Sequence, residues 1–173
     1  NRNPQLDKNH LEQRLRELFG IDKFLWLQLP PLTGDDTDGH IDTLARFTPD
    51  GAILYVSCDN RSDDHYQLLQ QLQAQLAAFT NSNSQPYQLL PLPWPDAKYD
   101  AGGNRLAASY ANYLIINGAV LVPTYQDDKD QLALEMIAKA HPGYAIIGID
   151  CLPLIRQGGS LHCVTMQFPR GVL

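Results

Sequence analysis

Phe47-Thr48-Pro49-Asp50-Gly51-Ala52-Ile53-Leu54-Tyr55-Val56 and Tyr113-Leu114-Ile115-Ile116-Asn117-Gly118-Ala119-Val120-Leu121-Val122 are two versions of one pattern. In each, apolar runs flank a turn centred on Asp-Gly or Asn-Gly, a strong local signal for a β-hairpin. Gly51-Ala52-Ile53-Leu54 and Gly118-Ala119-Val120-Leu121 lie 67 positions apart (118 − 51), and the residues after each hairpin also match. After the first come Asp63-Asp64 and then Leu68, Leu69, Leu72, Leu76 and Phe79; after the second come Asp127-Asp128 and then Ala133, Met136, Ile137 and Ala140. Both stripes have helical spacing, with acidic residues where a helix N-terminus favours them. Apolar strands over residues 87–92 and 144–149 close the two units. The repeating element is hairpin, helix, strand, a ββαβ unit.

Partial units flank the whole ones. A helix capped by Asp7, carrying Leu11, Leu15, Leu18 and Phe19 and stopped by Gly20, precedes an expected strand at residues 24–29. Residues 160–168 are expected to form a strand of a further unit. Repeats of this kind bury their apolar faces on neighbours, so the sequence predicts a radial or stacked α/β array of which this chain holds an incomplete set. The chain opens Asn1-Arg2-Asn3-Pro4 without Met and reads as a piece of something longer.

Composition bounds the function. With 173 residues, 44% hydrophobic and 18% charged, the chain fits a single globular domain, residues 1–173. A formal net charge of −6 and a pI near 5.2 disfavour nucleic acid and anionic membranes as partners and suit a cationic ligand. Three cysteines, Cys58, Cys151 and Cys163, show neither Cys-Xaa-Xaa-Cys nor regular spacing, which points to a reducing, cytoplasmic setting rather than a disulfide framework. Neither a membrane-spanning run nor a signal peptide is evident.

Chemistry concentrates at Gly158-Gly159-Ser160-Leu161-His162-Cys163 and at Gly34-Asp35-Asp36-Thr37-Asp38-Gly39-His40-Ile41-Asp42. Cysteine-dependent catalysis needs a thiolate, a proton carrier and a carboxylate, which here must meet through folding. His40 and Asp42 are two apart, so a strand would place both on one face, behind a polar loop of the kind that carries function. Glycines before Cys163 permit close backbone approach. Cys58 and Cys151 read as buried, inert thiols. A zinc site from His40, Cys151, His162 and Cys163 is an alternative, although no local ligand pair has the usual spacing. His10, His65 and His141 lie near expected helix ends and read as surface or capping residues, while Trp26 and Trp94 read as packing. Asn112 stands on the second hairpin at the level where the first carries its polar pair.

The segments Gly34 to Phe47, Leu106-Ala107-Ala108-Ser109-Tyr110-Ala111-Asn112-Tyr113 and Gly158 to Cys163, in that order, resemble the agmatine deiminase family, which includes the bacterial type of peptidylarginine deiminase. The resemblance implies a pentein fold, a five-bladed α/β propeller of ββαβ units around a central site. It implies Cys163 as nucleophile, His40 as general acid and base, Asp42 as a carboxylate gripping the guanidinium, and Asn112 as a polar pocket position. The implied reaction converts agmatine to N-carbamoylputrescine and ammonia, on the route to putrescine, through a covalent amidino-cysteine, with no cofactor and no metal. Deimination of arginine in peptides is the alternative. Asp36 is a candidate to face the distal amine of agmatine. Family members are much longer, and their Arg-Asp and Glu-Gly-Gly motifs, which supply further pocket carboxylates, are absent. The chain therefore resembles a C-terminal portion, and a non-catalytic fragment or binding module lacking those N-terminal carboxylates is a further alternative. Association with further copies of the chain stays open.

Overall fold

The computed structural model describes residues 3–35, 39–168 and 171–172. Two three-stranded sheets carry the architecture. The first joins β1 (Ala45–Phe47), β2 (Ile53–Val56) and β3 (Leu89–Leu92), and the second β4 (Leu114–Ile116), β5 (Ala119–Thr124) and β6 (Ala145–Asp150). In each, an antiparallel hairpin is followed by a helix and a strand that pairs in parallel with the hairpin's second strand. The helices are α2 (Tyr66–Ala77) and α3 (Asp130–Ala140), so the ββαβ unit expected from the sequence is present twice. Among the described residues no strand of one sheet pairs with a strand of the other.

Local chemistry explains the elements. Gly51 and Gly118 take left-handed φ angles of 77° and 82°, which is why the turns carry glycine there. β2 is buried at all four positions, and Leu68, Leu69, Leu72 and Leu76 of α2 are buried with it. Ala133, Ile137 and Ala140 form the buried stripe of α3, which packs on both β6 and β3 and so links the units. Asp63 precedes α2 and accepts from the backbone N–H of His65 and from Arg105, in a buried ion pair of 2.8 Å. A helix at the start, α1 (Lys8–Phe19), has Asp7 as its N-cap and Gly20 in the left-handed region at its end, as its sequence indicates. Among the described residues no helix is long and apolar enough to cross a membrane.

Three expected strands are absent. Residues 24–29 form no ladder; Leu25, Leu27 and Leu29 pack on the core, and the Gln75 side chain pairs with both backbone groups of Gln28 at 2.8 Å each, doing what a neighbouring strand would do. His40 and Asp42 do not share a strand face, because Thr43 and Leu44 donate to the carbonyls of His40 and Ile41 and close a 3-10 turn at Ile41–Thr43. Residues 160–168 bend into a second such turn at His162–Val164, whose amides bond locally or to Asn112. His65 and His141, expected as surface or capping residues, stand at the cap positions of α2 and α3 but are buried: Nε2 of His65 accepts from the Thr33 N–H at 2.9 Å, and the His141 ring packs against Tyr113 and Tyr144. His10 is exposed next to its cap partner Asp7, Trp94 is buried against His65, and Trp26 is only partly covered and donates to Glu12.

Candidate active site

Two irregular segments, one leading into the first sheet and one following the second, meet at Asn112. Asp42 lies in the 3-10 turn before β1, Asn112 lies just before β4, and Cys163 lies in the turn reached by the loop after β6. Asn112 is fully buried, and its amide faces both ways. Its Nδ2 donates to Asp42 Oδ2 at 2.9 Å, while its Oδ1 accepts from the His162 backbone N–H at 2.9 Å and lies 3.4 Å from both the backbone N and Sγ of Cys163. A thiol and a carboxylate, 121 positions apart in sequence (163 − 42), thus share one amide.

His162 completes the cluster, with its ring Nδ1 2.7 Å from Asp42 Oδ2. Burial pushes the Asp42 carboxyl up, but the hydrogen bond and charge of His162, with Arg46 nearby, more than offset this and hold it below the usual carboxylate range. Cys163 is exposed, whereas Cys58 and Cys151 are buried and burial pushes both of their thiols up. A Cβ at Gly159 would sit 2.9 Å from the Cys163 Cβ, so only glycine lets the Cys163 side chain lie against that backbone.

Behind the cluster runs a buried polar chain. The Tyr125 hydroxyl donates to the Ser109 carbonyl at 2.9 Å, accepts from the Ser109 N–H at 3.0 Å and lies 2.8 Å from Ser160 Oγ; Ser109 Oγ donates to the Thr43 carbonyl at 2.6 Å. This chain connects the turn that carries Asp42 to the loop that carries Cys163. Arg46 adds a second tie: its guanidinium bonds the carbonyls of Ala111 and Tyr113 and lies 4.7 Å from the Tyr113 ring centre.

Of the residues singled out in the sequence, Asp42, Asn112 and Cys163 are brought together. His40 is exposed at the start of the Asp42 turn, flanking the cluster. Asp36 lies outside the described residues, as do Thr37 and Asp38. Cys151 is buried at the end of β6, and among the described residues no three His, Cys, Asp or Glu side chains gather as a metal site would, so the zinc alternative finds no donor set there. The sequence offers His162 only as a zinc ligand; its pairing with Asp42 depends on a non-strand backbone that local sequence does not specify. Beside the cluster is an open cavity of about 320 Å³, lined by Leu27, Phe47 and Phe79 together with Asp42, Arg46 and His162.

The profile of the Porphyromonas-type peptidyl-arginine deiminase family matches residues 1–169. The chain belongs to this family. Its mixed α/β fold recurs in solved members. A Porphyromonas gingivalis structure assigned provisionally as an arginine deiminase is 49% identical, with a TM-score of 0.93 over 98% of this chain and 50% of that one. A C. jejuni agmatine deiminase, a Cys-to-Ser variant with substrate bound, is 39% identical, with a TM-score of 0.84 over 92% of this chain and 46% of that one. The agmatine deiminase of Medicago truncatula is 32% identical over 98% of this chain and 50% of its own length. The chain therefore spans about half the length of the family relatives it matches.

Proposed function

We propose that this chain is the C-terminal part of a single deiminase domain that hydrolyses the guanidinium of agmatine to N-carbamoylputrescine and ammonia. The observation that supports this best is the Asn112 amide, which holds the Cys163 thiol beside the Asp42 carboxylate. A guanidinium is a planar cation with a pKa above about 12, a poor electrophile unless carboxylates hold it. Asp42 supplies one such hold. The Cys163 thiolate attacks the central carbon, and His40 protonates the departing nitrogen, which leaves as ammonia. An amidino-cysteine remains. Water then attacks that carbon, His40 accepts its proton, and the C–S bond breaks to release the ureido product and the thiolate. Two moderate steps replace one difficult hydrolysis.

The remaining length of the protein supplies the other blades of a propeller and the further carboxylates of the pocket. The apolar walls beside Asp42 fit the butyl chain of agmatine. Deimination of arginine in peptides is the second reading, and the name of the matching family favours it. The test is ureido-product formation by the full-length gene product, with agmatine and an arginine-containing peptide offered separately and Cys163→Ala as the blank. Turnover of agmatine alone, lost in the variant, is the expected result. Turnover of the peptide alone selects the second reading, and turnover of neither leaves a binding module.

A further inference from the structure

Asp42 already has an occupant. Its Oδ2 is shared by the Asn112 amide at 2.9 Å and the His162 imidazole at 2.7 Å, in a half-buried setting where the Asp42 and His162 side chains are 16% and 29% exposed. Asn112 is structural in this arrangement: fully buried, it also carries the backbone of the Cys163 turn on its Oδ1. The His162 ring is different. Its backbone N–H is fixed by Asn112, but the ring lies at the surface of the cluster and lines the cavity beside Asp42.

We propose that the His162 ring is the resident occupant of the guanidinium subsite, holding Asp42 in the empty protein and leaving it when a guanidinium binds. The inference rests on the proposed role of Asp42 in gripping the substrate. A guanidinium gripping Asp42 competes with the His162 ring for the same carboxylate oxygen, while the Arg46 guanidinium is already fixed on the Ala111 and Tyr113 carbonyls.

Calorimetric titration tests this on the full-length gene product carrying Cys163→Ala, so that nothing turns over. The probes are agmatine and methylguanidinium. Adding His162→Ala should tighten the binding of both about tenfold. His162→Asn, which keeps a polar group at the position, repeats the measurement if the alanine variant melts early. Binding that weakens or stays unchanged without His162, while Asp42→Asn abolishes it, overturns the inference and leaves the substrate reading intact. Failure of both probes to bind, or binding indifferent to Asp42→Asn, overturns both.

Discussion

Tyr125→Phe removes a single oxygen, and the structure says what that oxygen holds. Its partners are the Ser109 N–H at 3.0 Å, the Ser109 carbonyl at 2.9 Å and Ser160 Oγ at 2.8 Å, all out of contact with water. The carbonyl keeps a second donor, the Asn112 N–H at 3.2 Å, and the Ser160 hydroxyl can turn toward Cys151. The Ser109 N–H is left with nothing. A buried unsatisfied group costs about 1–3 kcal/mol, and the two partly compensated losses add roughly another 1 kcal/mol, so we expect a loss of about 2–4 kcal/mol. For a chain of this size each kcal/mol lowers the melting temperature by about 2–4 °C, which gives a fall of roughly 5–15 °C. Tyr113→Phe is the internal control: an equally buried tyrosine whose hydroxyl has one contact, His141 Nε2 at 3.4 Å, near the limit of a hydrogen bond. Burial pushes that phenol up to about 12, with Arg46 opposing, so it stays neutral throughout the working range. The control should lose about 1 kcal/mol or less. Urea unfolding of the two variants beside the parent decides the matter; a loss in Tyr125→Phe no larger than in Tyr113→Phe refutes the reasoning.

The buried histidines and the glycine beside Cys163 can be tested in the same way. Burial, with the Arg105 charge, pushes the His65 pKa down, and at His141 burial, with the Arg46 charge, outweighs the Ile137 carbonyl; both folded values lie below the unfolded one near 6.5, so their stability is complete above that pH and is lost as pH falls through the folded values, at up to about 1.4 kcal/mol per pH unit for each histidine, and His141→Gln should flatten the measured slope between pH 6.5 and 5. Gly159→Ala should leave the melting temperature within a few degrees but displace Cys163, whose Cβ lies 2.9 Å from the new methyl; since a 1 Å misplacement costs about 10²-fold, turnover and the rate of Cys163 alkylation should both fall by roughly tenfold, and unchanged rates would show that the contact is not tight.

The repeat is legible in the sequence because its signals are local. A glycine that must take a positive φ and a stripe of leucines at helical spacing announce themselves within ten residues, and both units stand where the sequence places them. Of the three segments that are not the expected strands, the one at His40 and Asp42 closes a 3-10 turn on its own backbone, and in the other two side chains rather than strands meet the backbone. Gln75 pairs with Gln28 from 47 positions away, and Asn112 takes the amides of the Cys163 turn from 50 away. No periodicity reports such a partner. Asn112 stands out in the sequence for its level on the hairpin, but its part in joining Asp42 to Cys163 is visible only once the two irregular turns are in place. His65 and His141 lie inside because a helix end need not be a surface.

The boundary between the two ββαβ units is a joint rather than a weld. What crosses it near Asp42 is a set of side-chain contacts: Arg46 on two carbonyls, Ser109 on a third, and Asn112 and His162 on one carboxylate. The separation of thiol and carboxylate is therefore adjustable by changing a handful of side chains, without remaking any strand of either sheet. Mutational drift at the joint can move the Cys163 thiol against the Asp42 carboxylate by small steps while both sheets stay as they are.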